Sequence, residues 1–167
     1  MKKIQLVVFW DPFAADAAPP RAELFAGMFA SCSSIISVDL KNESGPFARR
    51  MLGSADLAVV FLRQNERQIN DFFIFYPFRK GNFLYCIYDY FEEAFPNRQQ
   101  MLRLYRIAPE RLCQLPFNSR LSLVCEKGHL GAYLKQEERR LPYEQLTGFY
   151  PSLQEAQEKI WLALSGR

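Results

Sequence analysis

The first loop of the sequence, residues 11–21, contains neither glycine nor lysine, and the first glycine of the chain is Gly27. A phosphate cradle needs glycines, which let successive backbone amides converge on the anion, and a lysine for the terminal phosphate oxygens. The loop has instead the aspartates Asp11 and Asp16 and, before Arg21, the adjacent prolines Pro19 and Pro20, which remove amide donors. Two carboxylates repel a triphosphate more than a helix dipole of about half a charge attracts it. The loop is therefore not a phosphate site by its chemistry, and Arg21, the one cation near the helix start, is expected to be solvated.

Residues that commonly bind metals or act as nucleophiles are few. The four cysteines, Cys32, Cys86, Cys113 and Cys125, contain no C-x-x-C pair, which argues against zinc and favours free thiols in a reducing cytoplasm. His129, the only histidine, follows a glycine at a predicted helix end. A capping or surface role is therefore favoured over a catalytic one.

Long apolar runs and strong charge of one sign are also missing. No run approaches the roughly 20 apolar residues that a membrane span needs, and the run at residues 4–10 stops at an Asp-Pro pair, which predicts a core strand and not a signal peptide. The net charge of +3 is too small to indicate nucleic-acid binding by itself. With 167 residues and 49% hydrophobic content, the chain is predicted to form a single cytoplasmic domain, residues 1–167.

What the sequence does contain is a regular alternation of apolar runs and helical patterns. Strands are predicted at residues 4–10, 35–40, 57–62, 83–88 and 112–115. Helices are predicted at residues 20–30, 46–52, 65–76, 97–106, 119–127 and 152–164. This alternation predicts an α/β fold: a doubly wound, mainly parallel sheet of about five strands with helices on both faces. Residues 136–150, which begin with a charge run, are predicted to be a mobile loop.

Two helix starts have the residues of a capping box. Asn65 with Gln68, and Ser152 with Glu155, could each satisfy two unpaired amides reciprocally. In the helix after Asn65, four apolar side chains share one face and are predicted to be buried: Ile69, Phe72, Phe73 and Tyr76.

Three segments, residues 34–73, 82–91 and 115–130, resemble in order and spacing the C-terminal half of the ParA/MinD-like ATPases, a deviant P-loop family that includes partitioning and pilus-assembly ATPases. The resemblance covers about residues 34–164 and implies a reduced P-loop NTPase-like fold. It makes Asp39 in SVDL the counterpart of the Walker B aspartate, which would hold a Mg²⁺-bound water. Another alignment makes Asp39 the aspartate of the second strand, and a simple strand-ending role is the alternative to both.

The sequence also departs from that family. The asparagine that reads the base would fall near Ile87, which cannot form a hydrogen bond with a base, and about a third of the expected chain is missing before Asp39. The resemblance therefore implies a degenerate, non-catalytic domain, an adaptor or regulator in partitioning, cell positioning or pilus assembly. No cofactor is expected, although ATP with Mg²⁺ remains possible.

The alternative function is a nucleotide- or small-molecule-binding domain with its site at the carboxyl ends of the strands. The candidate residues for that site are Asp11, Asp39, Asn65, Asp89 and Asn118. A third function, a phospho-receiver-like switch, needs an aspartate after the third strand and a late lysine. The lysine is missing, because glutamine precedes Leu115-Pro116.

Surface contacts are predicted from aromatic and basic clusters. Phe75 and Phe78 point away from the buried face of their helix, which predicts a surface for a protein partner or a second copy of the chain. A weak nucleic-acid contact is possible through Arg98, Arg103 and Arg106, although a solvated face is favoured. The last helix is amphipathic, but its polar face is not basic, so it is predicted to pack on the sheet and not on a membrane.

Overall fold

The computed structural model describes residues 4–15, 21–76, 81–140 and 148–166. Five strands form one sheet: β1 (Gln5–Trp10), β2 (Ile35–Asp39), β3 (Leu57–Arg63), β4 (Phe83–Tyr90) and β5 (Leu112–Pro116). All pairings are parallel, in the order β2-β1-β3-β4-β5. The predicted five-stranded, doubly wound α/β fold is therefore confirmed.

Helices cover both faces of this sheet. They are α1 (Glu23–Ala26), α2 (Pro46–Ser54), α3 (Glu66–Phe75), α4 (Arg98–Leu104), α5 (Ser119–Glu126), α6 (Leu130–Arg139) and α7 (Phe149–Ser165). One core lies between the sheet and α1, α5, α6 and α7, and a second core lies between the opposite face and α2, α3 and α4. Because β3 is central and covered on both sides, its first six residues are all buried, as an unbroken apolar run predicts.

The strand order locates the point at which the winding direction reverses. The order 2-1-3-4-5 is the flavodoxin-like one, in which the chain winds in opposite directions from the junction of β1 and β3. Ligands of such sheets bind at the edge where the strands end, near this junction. We call this edge the carboxyl edge and the opposite one the amino edge.

Three predicted helix boundaries are wrong: both ends of the first helix and the start of the last one. The first helix is only Glu23–Ala26, followed by a 3-10 turn, and its start has no side-chain cap. The last helix begins at Phe149, three residues before Ser152. Gly148 precedes it in the left-handed conformation, and Phe149 is buried. Pro151 does not prevent this start, since amides in the first helical turn have no partner within the helix.

The predicted mobile loop at residues 136–150 is also partly wrong. Helix α6 continues to Arg139, and Glu137 is buried within the charge run, where it pairs with Arg140. A charge run indicates solvation only when no neighbouring element packs against it, and α6 contacts α7. Residues 141–147 lie outside the described residues.

The predicted capping box of Ser152 with Glu155 is wrong, because both residues lie inside α7, and the one at Asn65 forms only in part. Asn65 caps α3 by accepting a hydrogen bond from the Gln68 amide, but the Gln68 side chain gives no reciprocal bond. The complete box is at Asn97 and Gln100, at the start of α4. Of the predicted buried stripe on α3, Ile69 and Phe72 are fully buried, and Phe73 and Tyr76 are half-buried.

The amphipathic last helix packs on the sheet as predicted, with Leu153, Ala156, Ile160 and Leu164 in the first core. Among the described residues, no helix combines the length and the apolar character needed to cross a membrane.

Candidate functional site

A cavity of about 520 Å³ lies at the carboxyl edge of the sheet. Its polar wall comes from the loop after β1, from the ends of β3 and β4, and from the segment after β5. The charged and polar side chains that line it include Arg21, Arg63, Tyr88, Asp89 and Asn118. The structure thus brings two of the five predicted site residues, Asp89 and Asn118, to one cavity.

Asp11 lies directly after β1, at the junction of the two winding directions. Its amide donates to the carbonyl of Lys41 at 2.9 Å, and its side chain is only 9% exposed. Its Oδ2 accepts a hydrogen bond from the Arg21 guanidinium at 3.4 Å. The first loop therefore closes on itself through an internal ion pair.

The expectation that Arg21 is solvated is wrong. Its side chain is 12% exposed, and its guanidinium carbon lies 3.4 Å above the ring centroid of Tyr88. Asp11 supplies the charge that makes this burial possible, because a guanidinium is buried at acceptable cost only beside a partner. The sequence contained a signal for this pair, since Arg21 is the only cation between residues 4 and 40.

The carboxyl of Asp11 has a raised pKa. Burial raises its pKa from 3.8 to about 6, against the opposing effect of Arg21. Asp39 and Asp89 raise it slightly further through charge repulsion. Its Oδ1 is buried and forms no hydrogen bond with the described residues. A carboxyl with this pKa binds a proton in mildly acidic solution and is mostly ionised at neutral pH.

Asp89 forms the second ion pair of the cavity. It lies in the irregular stretch of β4 between Ile87 and Tyr90, where its φ of 51° is in the left-handed region that aspartate tolerates. Its Oδ2 lies 3.4 Å from Nε of Arg63, the last residue of β3. Since β3 ends in an arginine, the aspartate that a phospho-receiver needs after its third strand is absent from this position.

The other three predicted residues are occupied in local turns and caps. The Oδ1 of Asp39 accepts the Lys41 amide at 2.9 Å, in the exposed turn that follows the edge strand β2. Asn65 caps α3, as described above. Asn118 caps α5 by accepting the Arg120 amide, and its Nδ2 donates to the hydroxyl of Tyr133 at 2.7 Å.

The described residues of this edge do not fit Mg²⁺ with a triphosphate. No group of three or more His, Cys, Asp or Glu side chains within the described ranges is arranged to hold a metal ion, and the carboxylate of Asp39 is bound to its own turn. All four cysteines are free thiols. Burial raises the pKa of Cys113 to about 12 and that of Cys86 well above its ordinary value, so both thiols stay protonated at neutral pH.

Sequence reasoning missed Gln64, the residue that organises the loop between β4 and α4. Its Nε2 lies 2.9 to 3.1 Å from the carbonyls of Phe91, Ala94 and Pro96, and its Oε1 accepts the Phe91 amide at 2.7 Å. A single glutamine after a strand gives no sequence signal of this kind, because its partners are about 30 residues away. The loop that it holds presents Phe91, whose ring stacks on that of Phe117 at 5.6 Å.

The residues predicted to form surface contacts are mostly exposed where the structure describes them. Phe75 is 72% exposed at the end of α3, and Phe78 lies outside the described residues. On α4 and the turn after it, Arg103 and Arg106 are exposed and Arg98 is half-buried.

A scan against protein-family models and a search of curated proteins each gave no match for this chain.

Proposed function

We propose that this domain is a non-catalytic adaptor or regulator, in keeping with the ParA/MinD-like resemblance, and that it acts in the cytoplasm in partitioning, cell positioning or pilus assembly. The observation that supports this most strongly is the Asp11–Arg21 ion pair. It occupies the loop where a relative with phosphoryl-transfer activity would hold the phosphates. The family assignment itself remains a prediction.

Charge balance at the carboxyl edge argues for loss of catalysis. Phosphoryl transfer depends on cations and amides that are positioned to stabilise charge on the transferred group. Here Arg21 pairs with Asp11, and Arg63 pairs with Asp89. Both cations are neutralised internally, so a triphosphate would have to displace a carboxylate from each.

The adaptor role requires a surface for a protein partner or a second copy of the chain. Ile74 and Phe75 are adjacent exposed apolar residues at the end of α3. The stacked pair Phe91 and Phe117 forms a second exposed apolar surface, on a loop held in place by Gln64. Exposed aromatic residues on pre-ordered backbone are typical of contact surfaces, because little conformational entropy is lost on binding.

The test is a titration of the protein with Mg-ATP, together with a hydrolysis assay. We expect no hydrolysis above background, and we expect any binding heat to persist when Mg²⁺ is removed and in the Asp39→Ala variant. The reason is that the sequence of the first loop has neither glycine nor lysine, and that Oδ1 of Asp39 accepts the Lys41 amide in its own turn. Mg²⁺-dependent binding that Asp39→Ala abolishes would overturn the proposal and restore the ATPase function.

The second candidate function is small-molecule binding in the carboxyl-edge cavity. Its support is the cavity itself, whose wall includes Arg21, the partner of the buried Asp11. A cavity of about 520 Å³ falls within the usual size of ligand sites.

A further inference from the structure

A second cavity of about 520 Å³ lies at the amino edge of the sheet, and none of the five predicted site residues lines it. It is formed by the C-terminal ends of α3 and α4, the start of β4 and the segment that leads into β5. Five aromatic side chains line it: Phe73, Tyr76, Phe83, Tyr85 and Tyr105. Two arginines, Arg106 and Arg111, complete the wall.

The aromatic wall is held in a defined geometry. The rings of Phe73 and Tyr105 are stacked, with centroids 4.7 Å apart and planes at 14°, and Tyr85 is tilted against Phe73 at 5.2 Å. The hydroxyl of Tyr105 donates to Oδ1 of Asn70 at 2.7 Å, which fixes that ring from its polar end. Phe73, Tyr85 and Tyr105 are only half-buried, so parts of their rings remain available to a planar group.

The two arginines differ from those at the carboxyl edge in having no carboxylate partner among the described residues. Arg111 donates to Oδ1 of Asn82, a neutral acceptor, and Arg106 is exposed. The C-terminal ends of α3 and α4 each place about half a negative charge nearby, which two full positive charges exceed. The cavity therefore favours an anion and disfavours a cation, despite its aromatic wall.

Arg106 is in an unusual backbone conformation for this position. Its φ is 53°, and it is followed by the Ile107 amide, which donates to the Leu102 carbonyl at 3.2 Å in the manner of a Schellman motif. Glycine is the residue that such a position favours, because a side chain in the left-handed region costs free energy. The chain keeps a guanidinium beside the cavity at the position where glycine would be easier to accommodate.

We propose that this amino-edge cavity binds a nucleotide, with the base against the aromatic wall and the phosphate at Arg106 and Arg111. Aromatic stacking and guanidinium–phosphate hydrogen bonds are the two interactions that recognise a planar group carrying a phosphate. The cavity volume is within the range of about 300 to 1,000 Å³ usual for such ligands. The inference does not rest on the adaptor role, and it concerns a different edge of the sheet from the first loop.

The experiment is a calorimetric titration with AMP in the absence of Mg²⁺, on the wild type and on two matched variants. Arg106→Gln removes a guanidinium that lines the cavity, and Arg103→Gln removes one from the exposed part of α4. We expect Arg106→Gln to weaken AMP binding about tenfold, the effect of losing one charge-assisted hydrogen bond, and Arg103→Gln to have little effect. Both variants should fold, because neither side chain is buried.

Absence of AMP binding to the wild type, or equal weakening by the two variants, would overturn the inference, because equal weakening indicates a general charge effect.

Titration with single-stranded oligo(dA) identifies the source of the nucleotide. Tighter binding than AMP with the same dependence on Arg106 supports the site and assigns it to nucleic acid. Weaker binding supports the site and assigns it to a free nucleotide. The Asp39→Ala variant separates this result from binding at the carboxyl edge, since binding at the amino edge does not depend on Asp39.

Discussion

At the scale of the residue, Asp11 is a buried charge at the carboxyl end of β1. Its carboxylate is excluded from solvent at the position where related folds bind anions, and its partner Arg21 is stacked on Tyr88. The pair joins the two ends of the first loop through opposite charges. The cost is that Asp11 must ionise in a poorly hydrated environment, which raises its pKa to about 6.

The pKa of Asp11 predicts how stability depends on pH. Because its pKa in the folded protein is above the unfolded value of 3.8, its stabilising contribution is complete below that pH and is lost as the pH rises through about 6. Relative to Asp11→Asn, the wild type should lose about 3 kcal/mol of unfolding free energy between pH 3.5 and pH 7.5. Urea unfolding at a series of pH values measures this.

A control for that experiment is Asp71→Asn, since the Asp71 side chain is 41% exposed and pairs with the exposed Arg67 at 3.9 Å. Its unfolding free energy should follow that of the wild type across the same pH range. Parallel curves for the Asp11→Asn variant and the wild type would show that the carboxyl of Asp11 has an ordinary pKa.

At the scale of the element, the loop between β4 and α4 depends on a side chain that follows another strand, β3. Gln64, one residue after β3, binds the carbonyls of Phe91, Ala94 and Pro96, and the Asn97 capping box then starts α4. Backbone polar groups need hydrogen-bond partners, and Gln64 supplies them for three carbonyls and one amide of this loop. Its order, and therefore the display of Phe91, depends on Gln64.

Replacing Gln64 by alanine should destabilise the protein by about 2 kcal/mol, because several loop carbonyls and one amide lose their partner. Hydrogen exchange should become faster for the amides of residues 91–97 and remain unchanged in β1. Gln154→Ala, at an exposed position on α7, is the matched control and should alter neither quantity. Equal protection of the loop in both variants would show that other contacts hold it.

At the scale of the whole molecule, the sheet is stabilised by two separate cores, and α7 closes one of them. Leu153, Ala156, Ile160 and Leu164 face the sheet, whereas Leu162 is 70% exposed. Lys159 adds a polar contact, donating to the Leu112 carbonyl at 2.8 Å beside β5. The last helix is therefore an integral part of the fold.

Ile160→Ala should lower the unfolding free energy by about 2 to 5 kcal/mol through lost burial and the cavity left behind. Leu162→Ala, on the opposite side of the same helix, should change it by less than about 0.5 kcal/mol. Chemical denaturation with a constant m-value measures both. A similar loss in the two variants would mean that α7 packs through its other face.

The sequence alone determined the fold class, the five strands and the inward face of α7, because each follows from a local period: unbroken apolar runs for buried strands and a 3.6-residue period for helices. The start of α7 and the extent of α6 were predicted wrongly, since the local pattern did not show that Phe149 joins the first core or that Glu137 is buried. The sequence also shows directly that the first loop lacks the glycines and the lysine of a phosphate cradle.

Only the tertiary structure decided which charges meet. The burial of Arg21 against Tyr88 and the convergence of carbonyls on Gln64 each join segments that no local pattern connects. Arg21 is the only cation between residues 4 and 40, but only the structure shows that it pairs with Asp11. The two cavities have the same origin, since each is enclosed by the ends of several elements. Local periodicity is set by neighbouring residues, whereas a site is set by distances between elements, and those distances exist only once the sheet has assembled.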